Sequence, residues 1–136
     1  MCYVSNDGTI HIAKEDIVVY KIGSSCIKEG PDFFECMYQN FKYKIKERQP
    51  EIELKPTIMI DPETDDDVFS VHEGYHSYVS LEYAERIWFN SFVSLSPNEK
   101  YWRFAKFIIP KGSSYMTDGN QYVSSCIIFH ERLLEV

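Results

Sequence analysis

Two short segments hold the residue types that could bind an anion or move a proton. They are Glu73-Gly74-Tyr75-His76-Ser77-Tyr78 and Ile109-Pro110-Lys111-Gly112-Ser113-Ser114-Tyr115. In the second, Pro110 stops a strand by removing an N–H, and Gly112 permits positive φ. The amides of Gly112, Ser113 and Ser114 are then expected to face an anion, with Lys111 adding charge. A tight hairpin turn with Lys111 in water is the plain alternative. The spacing is not that of a P-loop. The first segment ends a strand just before a helix N-terminus, where unpaired amides favour anions. There His76 is a candidate general base or a donor to a phosphate, unless it packs under the helix. The candidate ligand-binding set is Lys21, His76, Ser77, Tyr78, Lys111, Ser113, Ser114 and Tyr115. It requires two distant loops to share one concavity.

Other chemistry finds less support. His72 stands four residues before His76, but two histidines without a third ligand are weak evidence for zinc. The run Asp61-Pro62-Glu63-Thr64-Asp65-Asp66-Asp67 lacks the central glycine and distal glutamate of a calcium loop. No Gly-x-Ser-x-Gly elbow exists, and no cysteine has a histidine beside it in sequence. No catalytic residue, metal or cofactor is assigned.

Elements that position these segments are legible from periodicity. Ile17-Val18-Val19-Tyr20-Lys21-Ile22 is a β-branched run and predicts a buried strand. Ile10 to Ile12 form a short strand or lie in a loop. Phe33 to Tyr38 form a turn of helix or an extended piece over the core. Phe41, Tyr43 and Ile45 alternate with Lys42, Lys44 and Lys46, which predicts a strand with one wet, basic face. Ile52, Leu54, Ile58 and Ile60 continue the alternation through Pro56, favouring an edge strand or bulge. Val68 to His72 restart extended structure after a 61–67 surface loop. Ser80 is an N-cap for an amphipathic helix over about 81–92, with Leu81, Ala84, Ile87, Trp88 and Phe92 on one face. Residues 102–109 and 121–130 read as two strands. The fold class is α+β, a single domain over 1–136 with a bent, mostly antiparallel sheet and one main helix.

The chain has 136 residues, enough for a core without staples. Aromatic content is 15%, with 10 tyrosines that suit half-buried positions touching solvent or ligand. A net charge of −7 argues against a surface for direct nucleic-acid binding. Lys42, Lys44, Lys46 and Arg48 form a basic patch, while residues 51–67 hold seven acids against one lysine. Cys2, Cys26, Cys36 and Cys126 show no metal spacing, no signal peptide precedes them, and free thiols in a cytoplasmic setting are expected. No apolar run reaches the ~20 residues of a membrane span.

Val19-Tyr20-Lys21, the Gly74-to-Tyr78 block and the Ile109-to-Tyr115 block together resemble a group of small uncharacterised proteins of bacteriophages and prophages, a group that carries no established activity. More remotely, their order resembles ADP-ribosyltransferase-like domains, which cradle NAD. That resemblance implies Lys21 as the basic residue and His76-Ser77-Tyr78 as the middle segment. The late strand Gln121-Tyr122-Val123-Ser124-Ser125 lacks the glutamate such transferases need, and Glu131 lies beyond it. The Lys111–Ser114 turn, the His76–Tyr78 segment and the surplus of tyrosine lead to the expectation of non-enzymatic capture of a nucleotide-like small molecule, such as a cyclic nucleotide or ADP-ribose derivative used as a host immune signal. An alternative is an acidic inhibitor of a host defence nuclease or effector protein. A transferase comes third.

Overall fold

The computed structural model describes residues 3–5, 8–23, 32–35, 42–71, 73–91 and 104–133, without the side chains of 3–5 and 88–91. In chain order the elements are β1 (Tyr3–Ser5), β2 (His11–Ile12), β3 (Ile17–Ile22), β4 (Phe33–Glu35), β5 (Lys42–Lys44) and β6 (Thr57–Ile60). They continue with β7 (Asp67–Val71), β8 (Tyr75–Tyr78), α1 (Leu81–Ser91), β9 (Phe104–Ile109), β10 (Ser114–Thr117), β11 (Gln121–Ser124) and β12 (Ile128–Leu133). Seven strands form one sheet in the order β12-β9-β3-β8-β11-β10-β2, and every strand pairing in it is antiparallel. A second sheet runs β1-β7-β6, and β4 pairs with β5 alone. The fold is therefore a mostly antiparallel sheet with one short helix among the described residues.

β3 sits near the middle of the sheet, with both its edges paired. Six consecutive pairs join it to β9, from Ile17↔Ile109 to Ile22↔Phe104. On its other side a single pair, Tyr20↔Tyr78, joins it to β8. Since side chains alternate, Val19 and Lys21 share one face with Ala105, Phe107 and Ile109. The β4-β5 hairpin covers that face with Phe34 and Tyr43, each 1% exposed. Lys42 and Lys44 on either side of Tyr43 stay in water, as their alternation predicts.

Phe107 is the hub of this core. Its ring centroid lies 4.9 Å from Tyr43, 5.3 Å from Phe129 and 5.5 Å from Phe34. The Tyr43 and Phe34 contacts are edge-on, which sets the positive ring edge against a negative face. Each such buried side chain contributes about 1.5–3 kcal/mol through removal from water.

The opposite face carries α1 at one end and the second sheet at the other. Ala84 is fully buried, with Leu81, Tyr83 and Ile87 half-buried against Ile22, Tyr78 and Phe104. Glu82, Glu85 and Arg86 point to water. The helix ends at Ser91, and Phe92 lies outside the described residues. Its start is fixed by Ser80, whose Oγ accepts the Tyr83 amide at 3.1 Å. Ser80→Ala will cost about 1 kcal/mol, readable as a shift in urea midpoint at constant slope.

Two expectations change. Residues 121–130 are not one strand: β11 and β12 lie on either side of β3, four places apart in the sheet order. The chain crosses between them at Ser125-Cys126-Ile127, where backbone pairing passes to residues 49–52. Gln49 donates to the Ile127 carbonyl and Ile52 to that of Ser125. This also explains why 51–56 forms no strand despite its alternation, leaving β6 to begin after Pro56. Phe33 to Glu35 are extended, while 36–38 fall outside the described residues.

Candidate functional site

The candidate residues separate onto different surfaces. Register puts Lys21, Ser77 and Tyr115 on one face of the large sheet, and His76, Tyr78 and Ser114 on the other. Lys111 and Ser113 lie in the turn before β10. His72 and the cysteines other than Cys126 lie outside the described residues.

The expected anion nest is closed. Lys111 donates its amide to Asp16 Oδ1 at 2.8 Å, and Gly112 donates to the Ala13 carbonyl at 2.8 Å. Ser113 donates to the Pro110 carbonyl at 3.1 Å, and Ser114 to Ser125 Oγ at 2.9 Å. Gly112 does take the positive φ of 90° that its position called for. The turn is a strut tying β10 to the segment between β2 and β3. Beside it lies an open groove of about 490 Å³, lined by Ile10, Leu54, Gly112, Ser114, Glu51 and Glu53 among others. Two carboxylates make that groove a poor seat for a phosphate.

His76 is not a cation. Burial first, and the neighbouring Lys21 charge second, lower its pKa from 6.5 to about 4. It pairs with Val123 in the ladder, and its Nε2 is buried without a hydrogen-bond partner. A neutral ring cannot supply charge to a phosphate at neutral pH. The charge that acts on it comes from Lys21, and Lys111 stands one strand beyond β11, tied to Asp16.

Lys21 is itself 4% exposed, with Nζ 5.3 Å above the Tyr43 ring and 5.8 Å from that of Phe107. Held over two ring faces, its charge is stabilised where bulk water is excluded. Glu131, which follows the late strand, sits in β12 and pairs with Lys106 at 3.3 Å. Cys126 carries a free thiol, donated to the Gln49 carbonyl at 3.2 Å, and burial pushes its pKa up. That is the environment of an inert cysteine.

What the structure brings together is a set of rings and hydroxyls that spacing alone does not reveal. On the Lys21 face, β8, β11, β10 and β2 present Tyr75, Ser77, Tyr122, Tyr115, Thr117 and His11. His11 stacks on Tyr115 at 5.4 Å and 27°, and Tyr122 meets Tyr115 edge-on at 5.5 Å. Tyr75, Tyr115 and Tyr122 are half-buried. Burial raises the pKa of Tyr75 and Tyr122, so both phenols stay protonated and can donate. Tyr75 uses its proton on the Pro50 carbonyl at 2.6 Å. The Ser77 hydroxyl, opposite Tyr122, is buried with no partner. Tyr122 and His11 were missed because the sequence signal, a tyrosine every few residues, is also that of ordinary core filling.

Among the described residues, no helix is long and apolar enough to cross a membrane, and no group of His, Cys, Asp or Glu is placed to hold a metal ion. Comparison with known proteins returns no matching family model, no matching curated protein and no matching solved structure.

Proposed function

We infer that this protein binds a nucleotide-like small molecule without transforming it, and that the base lies on the ring array of Tyr115, Tyr122 and His11. The observation that carries this reading is the array itself: His11 stacked on Tyr115 with Tyr122 edge-on, the two tyrosines half-buried and His11 exposed on one sheet face. Every base has a π-face, so stacking on such rings tolerates different bases and is worth about 1–3 kcal/mol per base. The pairing of Glu131 with Lys106 favours binding over ribosyl transfer. In a cytoplasmic, phage-like setting, such a protein would act by holding a host signal nucleotide out of circulation.

Calorimetric titration with adenosine monophosphate, ADP-ribose and a cyclic dinucleotide tests this. At least one ligand should bind. Tyr115→Ala and Tyr122→Ala should each weaken it by roughly 5- to 150-fold, the equivalent of one stacking contact. Lys111→Ala should leave affinity unchanged, because that turn belongs to the scaffold. Silence across the panel would reject the reading.

A further inference from the structure

β6 breaks the rules by which edge strands protect themselves. It pairs with β7 through Thr57↔Ser70, Ile58↔Phe69, Met59↔Val68 and Ile60↔Asp67, and its other edge has no strand beside it among the described residues. All four residues are exposed, Ile58 at 63%, Met59 at 48% and Ile60 at 67%. Natural edges carry a lysine, a bulge or an inward charge to discourage pairing. Here the strand has none, and Pro56 stands only at its entrance. Alternate main-chain N–H and C=O groups along β6 therefore face outward, ready for another strand.

The turn that follows gives this edge a sign. Asp61, Glu63, Asp65, Asp66 and Asp67 crowd into seven positions with no cation among them. The turn is built: the Asp61 amide donates to the Asp66 carbonyl at 2.9 Å and the Asp65 amide to the Asp61 carbonyl at 2.9 Å. Glu63 donates its amide to Asp61 Oδ1, and Asp65 takes a φ of +57°. Among the described residues no cation pairs with these carboxylates. On the entry side, Glu51 and Glu53 outnumber Lys55.

We propose that β6 is a strand-addition site for an extended segment of a partner protein that alternates apolar and basic residues. Its main chain extends the β1-β7-β6 sheet, its apolar residues lie against Ile58 and Ile60, and its cations meet the 61–67 turn. Main-chain pairing supplies affinity and the alternating side chains supply selectivity. A second copy of this chain is the poorer occupant, since each carries −7 and both flanks of β6 are acidic. The site lies on a different sheet from the tyrosine array, so either reading can fail without the other.

The test uses a short synthetic peptide alternating lysine and valine, labelled for fluorescence anisotropy, against a control of equal charge N-methylated at alternate amides. The protein should bind the first at least about ten-fold more tightly than the second. Asp65→Asn with Asp66→Asn and Asp67→Asn should weaken binding by about ten-fold and flatten its salt dependence. Ile58→Lys with Ile60→Lys should abolish it while circular dichroism shows the fold intact. Equal binding of both peptides, or indifference to both sets of substitutions, would overturn the proposal. So would a dimer in sedimentation velocity that the two lysines dissolve, since the occupant would then be a second copy.

Discussion

Phe107→Ala will lower the free energy of unfolding by about 3–5 kcal/mol, the range for removing a fully buried phenylalanine ring. The residue has no exposure, and three aromatic partners lie within 5.5 Å of its centroid. Those partners come from β4, β5 and β12, so no single element can collapse into the space. The loss also removes one of the two rings beneath the Lys21 ammonium. A stable domain holds only about 5–15 kcal/mol in all, so much of the variant will be unfolded at physiological temperature. Guanidinium titration reads the change, with Val18→Ala as the control. Val18 is 46% exposed on the other face, and its truncation should stay within about 0.5 kcal/mol. A loss below about 1 kcal/mol for Phe107→Ala would mean that the hairpin does not cover this face.

The second large effect is acid sensitivity through His76. Burial and Lys21 together hold its folded pKa at about 4, against an ordinary 6.5. Between those values the unfolded chain binds a proton that the native state refuses, so stability rises with pH across the window. As pH falls from about 6.5 to about 4, this group alone withdraws roughly 3 kcal/mol, and carboxylate titration adds a background shared by any variant. His76→Leu should remove that share, leaving a shallower acid limb and near-unchanged stability at neutral pH, because the deleted Nε2 has no partner to lose. Lys21→Met should move the His76 ring titration upward, since it removes a charge that opposes protonation. Nuclear magnetic resonance of the imidazole protons reads this directly. A wild-type titration near 6.5 would show that the ring is solvated.

The parts of this fold that could be read in advance are those governed by near neighbours in sequence. The β-branched run Ile17–Ile22 forms β3 with the same bounds, and Ser80 caps α1 through an oxygen three residues from the amide it accepts. Tyr43 buries between two wet lysines as period two requires. What could not be read depends on distant partners. The amides of 111–114 look free in isolation, yet the acceptor for Lys111 is Asp16, 95 positions away. Residues 125–127 have the composition of a strand interior, and only the demand of residues 49–52 for hydrogen bonds pulls them out of the ladder. The ring array likewise exists only once β10 pairs with both β2 and β11, bringing His11, Tyr115 and Tyr122 onto one face. Of the candidate set, Lys21, Ser77 and Tyr115 share that face, with Lys21 buried against the Tyr43 ring. His76, Tyr78, Lys111, Ser113 and Ser114 hold the scaffold around it.

The most direct measurement is a resonance titration of protein labelled in its tyrosine and histidine rings, with adenosine monophosphate and ADP-ribose added in turn. Ring-current shifts should appear together at Tyr115, Tyr122 and His11 and saturate with one dissociation constant, while His76 and the 111–114 amides stay still. Shifts centred on the Gly112 groove, or no shifts at the three rings, would contradict the account.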